Sequence, residues 1–194
     1  ILKDFGVINE EDWNNWGKSG KKSILRVFGN TSIPGIDATS GSLGHGLGIA
    51  CGLAYYYQKK NLDKKVYVVI SEGELYEGST WEAFLFAAHH KLKNLNIIID
   101  ENSLIILGNT SDCLKLDPIK DKVEGFGFEV DQVDGHNLEQ LEQAFNKESN
   151  STKVILAKTV KGKGFSIMEN KPNWHYWNNI SNEDIEKCRR EIQI

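Results

Sequence analysis

Two oxygen-rich turns, Ser71-Glu72-Gly73-Glu74 and Asp100-Glu101-Asn102, each follow directly on an apolar run. Glu72 and Asn102 stand thirty positions apart. A carboxylate and an amide oxygen brought to one point suit a hard cation such as Mg²⁺, which takes few protein oxygens and the rest from water and a diphosphate. Gly73 lets the backbone N–H groups of its turn approach such an anion closely. Acidic and amide residues also cap turns in most α/β proteins without binding anything. Spacing alone leaves both readings open.

The elements that must position these turns are legible in the pattern. Residues 66–70 and 95–99 are short apolar runs rich in β-branched residues, and residues 80–92 between them repeat apolar positions at helical spacing. That order is a βαβ unit, whose strands run parallel. Both turns then leave the same carboxyl edge of the sheet, where open α/β sheets bind their ligands.

Length and composition predict one α/β domain over residues 1–194, and the βαβ pattern gives it an open, mostly parallel sheet, expected to carry helices on both faces. Hydrophobic residues make up 40% of the chain, enough for a sizeable core. The net charge is −4, and Lys and Arg are dispersed along the chain. We therefore expect no basic face, no nucleic-acid partner and no membrane partner. No apolar run approaches membrane-spanning length and no signal segment opens the chain, so the cytoplasm is the expected compartment. Numbering starts at Ile1, which leaves room for a trimmed amino terminus. Cys51, Cys113 and Cys188 are far apart and read as reduced thiols.

Smaller features carry weaker expectations. Residues 147–153 read as a polar linker into a strand at 154–157, after a helix capped by Asn137 with Gln140. Glycines 41, 44, 46, 48 and 52 lack dinucleotide-loop spacing, and close helix packing beside a cofactor accounts for them. His89 and His90 read as structural, Trp13 and Trp16 as packing residues, and the segment with Trp174, His175 and Trp177 as a cover or interface. The Lys161-Gly162-Lys163-Gly164 loop suits either an anion or plain surface.

The 66–104 stretch resembles the thiamine diphosphate signature, Gly-Asp-Gly followed after some thirty residues by Asn, in its transketolase version. The run Glu74-Leu75-Tyr76-Glu77-Gly78 continues through Trp81-Glu82-Ala83, Ala87-Ala88-His89, Lys91-Leu92 and Asn94-Leu95 in the same register. Upstream, Pro34-Gly35-Ile36-Asp37-Ala38-Thr39-Ser40-Gly41-Ser42-Leu43-Gly44-His45-Gly46 is similar to the family's loop beside the thiamine ring. Downstream, Gly125-Phe126-Gly127, Asp134-Gly135-His136 and residues 158–164 keep the family order as far as His175.

The resemblance implies roles for individual residues. Glu72, Asn102 and the Leu104 carbonyl would hold Mg²⁺, while Gly73 and Glu74 belong to the turn facing the diphosphate. Gly41, Ser42, Leu43 and Ile106 would surround the thiamine rings. His175 would reach diphosphate and substrate, and Glu77 and Glu82 would share protons at an interface between chains. The implied reaction moves a two-carbon ketol unit from a ketose, a sugar or sugar phosphate, to an aldehyde. It needs a pyrimidine-side glutamate that this sequence does not contain, so the chain is either one subunit of a split transketolase or a fragment. A homodimer or heterotetramer is the expected assembly.

Departures from the family pattern set the competing readings. Ser71-Glu72-Gly73 replaces Gly-Asp-Gly, Phe28 stands where a sugar-contacting His is usual, and Leu107 replaces an Asp. A catalytically degenerate, transketolase-like binding domain is the main alternative. A plain nucleotide-binding domain ranks below it, because neither a dinucleotide nor a P-loop fingerprint is present.

Overall fold

The computed structural model describes residues 2–16, 18, 31–176 and 179–192. Phe28 and Trp177 lie outside the described residues. In chain order the elements are α1 (Glu10–Asn14), α2 (Gly46–Lys59), β1 (Val66–Ser71), a 3₁₀ turn (Glu72–Tyr76), α3 (Gly78–His90), β2 (Leu95–Glu101), the short strands β3 (Leu104–Ile105) and β4 (Gly108–Asn109), α4 (Thr110–Cys113), α5 (Ile119–Glu124), β5 (Glu129–Asp134), α6 (Leu138–Asn146), β6 (Lys153–Lys158), a second 3₁₀ turn (Pro172–Tyr176) and α7 (Asn182–Ile192).

Burial dictates the strand order. β2 (LNIIIDE) and β6 (KVILAK) are buried over five successive residues each, so they need cover on both faces and take the middle of the sheet. The order is β1-β2-β6-β5, wholly parallel, and β3 and β4 form a separate antiparallel hairpin. On one face Ile70, Leu95, Ile97, Ile99, Val154 and Leu156 pack under α2, α3 and α5. On the other, Ile98, Ile155 and Ala157 meet Ala144 of α6. Helices thus cover both faces, as the sequence implies.

Register aligns the strand ends. Ser71 lies opposite Asp100, Asp100 opposite Ala157, and Asp134 opposite Lys158. The turns after β1, β2, β5 and β6 therefore open along one edge. α3 is locked to this frame by its aromatic side: Trp81 Nε1 donates to the Leu75 carbonyl (2.8 Å), and Phe84, fully buried, meets Trp81, Phe126 and Phe128 edge-on or tilted. Among the described residues β1 is an edge strand, with Tyr67 half exposed and Val69 71% exposed.

Several expectations change. Lys153 is no linker residue: it opens β6 and is 4% exposed, because its ammonium donates to the carbonyls of Ala144, Phe145 and Lys147 at the end of α6. Asn137 caps α6 by accepting from Gln140 N (3.1 Å), but the Gln140 side chain turns to Asp134 N instead of completing the box. Trp13 and Trp16 are 52% and 57% exposed, so neither is a core residue. Gly46, Gly48 and Gly52 have open space where a Cβ would sit, so no helix packs closely on them among the described residues. His90 does serve structure, lying against Tyr55 and Phe86. The three cysteines are free thiols, and burial pushes Cys51 up to about 11.

Because Phe84 is fully buried among other rings, Phe84→Ala should cost about 3–5 kcal/mol of unfolding free energy. Urea denaturation followed by circular dichroism measures it, and a loss below about 1 kcal/mol would contradict this packing.

Candidate functional site

The chain leaves β1 through Ser71, whose backbone is extended (φ −87°, ψ 160°), so this position needs no glycine. The 3₁₀ turn then carries Glu72 inward. Glu72 is 3% exposed, its Oε2 accepts from Ser103 N at 2.7 Å, and the Thr110 hydroxyl adds a second bond. The extra methylene of Glu over Asp is what spans from the first turn to the second. Among the described residues no cationic side chain pairs with it. Burial raises its pKa, and the charges of Glu101 and Asp117 add to that rise, against the opposing bonds from Thr110 and Ser103.

The second turn presents Asn102 beside that carboxylate. Its Oδ1 accepts from Leu104 N (3.0 Å), and its Nδ2 donates to Asp100 Oδ2 (3.1 Å). Asp100 is itself held by the Thr159 hydroxyl, so the β6 end fixes the orientation of Asn102. Ser103 takes the left-handed conformation (φ 60°), which aims its N–H back at Glu72 and turns the chain into the β3–β4 hairpin. Leu104 is buried at the hairpin base, whereas Ile106 near its tip is 54% exposed.

A third segment is tied in by Glu74. Its two carboxylate oxygens accept from Ser71 N (3.1 Å) and Gly44 N (3.2 Å), so this residue, expected to face a cofactor, is spent on joining the glycine loop to the first turn. Ser79 Oγ donates to the Gly44 carbonyl (2.9 Å). Gly44 has φ +80°, and a Cβ there would lie 2.8 Å from the Glu77 Cβ. Gly41, Ser42 and Leu43 sit exposed on this anchored loop, Leu43 at 51%. Gly73 is adjacent: a Cβ on it would come to 3.4 Å from Ile105.

The structure therefore gathers Glu72, Gly73, Glu74, Asn102, Leu104 and the 41–44 loop, with Glu77 against Gly44. Glu82 is exposed farther along α3 and does not join them. His175 belongs to the Pro172–Tyr176 turn, which packs on β4, and its ring meets Tyr176. Burial and then the charge of Lys161 lower the His175 pKa, so the ring is neutral at pH 7. In the 161–164 loop, Lys163 pairs with Glu169, whose carboxylate also takes Gly164 N. Sequence reasoning singled out Asp100 only as part of its turn, and it missed Ser79, Ser103, Thr110 and Thr159. Their hydroxyls and backbone groups carry no spacing signal, since tertiary structure alone brings them to the turns.

Residues 29–193 match the family described as transketolase, thiamine diphosphate binding domain. The chain belongs to the transketolase family. It is 43% identical over 180 residues to a subunit of the apulose-4-phosphate transketolase of Actinobacillus succinogenes, covering 90% of this chain and 64% of that relative. To the like-named subunit from Phocaeicola vulgatus it is 34% identical over 194 residues, covering 98% of this chain and 68% of the relative. The crystal structure of Campylobacter jejuni transketolase superposes with a TM-score of 0.84 at 29% identity, over 93% of this chain and 29% of that one. The chain thus spans about two thirds of the two apulose-4-phosphate transketolase subunits and under a third of the solved transketolase.

The site's donor set has the chemistry that a hard cation takes. A buried carboxylate with no cationic partner, beside an amide oxygen that keeps a free lone pair, is a place where a hard cation gains what the protein leaves unsupplied. Among the described residues no three His, Cys, Asp or Glu side chains form a metal cage.

Two measurements probe this geometry. A raised carboxylate pKa means that Glu72 favours the folded state when protonated and that this contribution is lost as pH rises through the folded value. In metal-free buffer Glu72→Gln should therefore raise Tm at pH 7, with the two proteins converging near pH 4. An unchanged Tm difference across that range would refute the assignment. Gly44→Ala, strained in backbone and short of room, should lower stability by about 1–3 kcal/mol in urea denaturation.

Proposed function

We propose that this chain is the diphosphate-side half of a thiamine diphosphate- and Mg²⁺-dependent transketolase, transferring a two-carbon ketol unit from a ketose to an aldehyde. One observation carries the reading: two turns of the βαβ unit meet through Glu72 and Ser103 around a buried carboxylate that no cationic side chain pairs with among the described residues. When bound, the cofactor supplies a nucleophilic carbon that attacks the ketose carbonyl and allows the adjacent carbon–carbon bond to break.

The chain's own residues bind and orient. Glu72, Asn102 and the Leu104 carbonyl would hold Mg²⁺, and the Gly73 turn would offer backbone N–H groups to the diphosphate. Leu43 and Ile106, each about half exposed, would exchange water for the faces of the thiamine rings, with Gly41 and Ser42 giving close backbone approach. His175, neutral at pH 7, can donate to phosphate oxygen or accept from a sugar hydroxyl. Glu77 and Glu82 would face the partner and share protons with it.

Relatives named as transketolase subunits support a second polypeptide as the source of the pyrimidine side. We assign to it the apolar surface left open on α2 (Ile49, Leu53, Tyr56) and α3 (Leu85, Phe86). A pair of such heterodimers would give a heterotetramer, and the substrate class is a sugar or sugar phosphate.

Calorimetric titration of the chain co-expressed with its partner should show saturable, Mg²⁺-dependent binding of thiamine diphosphate, weakened at least about tenfold by Asn102→Ala. Absence of binding with the partner present would overturn the enzyme reading and favour a degenerate binding domain.

A further inference from the structure

The amino-terminal ends of the strands carry a second concavity, about 660 Å³, walled by the loops after α2, α3 and α6. Six lysines line it, against two carboxylates, Asp63 and Glu148. This corrects the expectation of no basic face: Lys64, Lys65, Lys91, Lys93, Lys147 and Lys153 come from three separate stretches, so their convergence is invisible along the sequence. The groove is volumetrically suited to a small ligand. It lies at the opposite end of β2 from Asn102, roughly 20 Å away at about 3.3 Å per residue.

Helix ends attract lysines on their own account, because their terminal carbonyls carry partial negative charge. Lys153 is used this way, and Lys147 is held by Glu129 and Asp131 at 2.9 and 2.7 Å. The other four differ. Lys64, Lys65, Lys91 and Lys93 are exposed, and among the described residues none of their ammonium groups donates to a carbonyl or pairs with a carboxylate. Beneath them, Lys153 is a buried cation whose hydrogen bonds all go to neutral carbonyls, and the carboxylates that act on its charge, Asp131 and Glu129, are shared with Lys147. Burial and the like charge of Lys65 weigh on that ammonium more than the shared carboxylates relieve it, and like charges crowd the rim above it. An anion seated in the groove relieves both.

We propose that this groove is a binding site for a small phosphate-bearing anion, separate from the cofactor edge and independent of the transketolase reading. Its floor is the Lys153 side and its walls are Lys64, Lys65, Lys91 and Lys93. The shared chemistry is a compact dianionic phosphate. Whether it arrives free or as a sugar phosphate is what the titrant distinguishes.

The test is calorimetric titration at about 0.15 M NaCl, where surface charges are screened as in the cell, with inorganic phosphate and, separately, ribose 5-phosphate, on the full chain without any partner. Saturable millimolar-or-tighter binding is expected, with the tighter titrant identifying the source. Lys64→Glu with Lys93→Glu should weaken it at least about tenfold, while Lys120→Gln, on α5 and outside the groove, leaves it unchanged. Lys64→Gln with Lys93→Gln is the milder pair if charge reversal disturbs the circular dichroism spectrum. Bound anion should also slow acylation of Lys64, Lys65, Lys91 and Lys93 in mass-spectrometric footprinting. No saturable binding, or binding that the lysine variants leave intact, overturns the proposal.

Discussion

The single hydrogen bond from Ser103 N to Glu72 Oε2 is the joint that holds the two turns of the candidate site together. It links the end of β1 to the end of β2 across the top of two in-register parallel strands. Remove it and each turn is an ordinary loop. With it, a carboxylate is drawn out of water to a place where only a cation or a proton can satisfy its charge. The cost of that burial is carried by the rigid part of the fold, the five-residue buried runs of β2 and β6, which leave the strand ends little freedom to relax.

Around this joint the structure builds outward in tiers. Thr110 and Ser103 hold Glu72, Asp100 and Thr159 hold Asn102, and Glu74 with Ser79 holds the Gly44 loop. None of these supporting groups needs to touch a ligand. Each removes a rotation from a residue of the candidate site, so that the site is ordered without a ligand. The Ser71 and Glu72 departures from the family pattern fit this scheme: Ser71 sits in extended backbone that any residue can adopt, and the longer Glu reaches the opposite turn.

Legibility in the sequence follows how local each cause is. The βαβ unit, the sheet edge and the two turns are readable, because periodicity and β-branching act over a few neighbouring residues. The strands run longer than their apolar composition suggests, through Ser71, Asp100 and Glu101, where polar residues pair in the ladder. The role of Glu74 is not readable, since nothing in its neighbourhood announces that its partner is Gly44, thirty residues earlier. Trp13 and Trp16 depart for the opposite reason: size suggests burial, but no buried residue of α1 provides a core beside them. The lysine groove is hidden because convergence at a strand end belongs to topology alone.

Among the described residues β1 presents a bare flank with Val69 largely open to water, and such a strand is a template onto which an extended chain can add. An unpaired edge of this kind ties the behaviour of the folded chain to what lies beside that strand as well as to its own core.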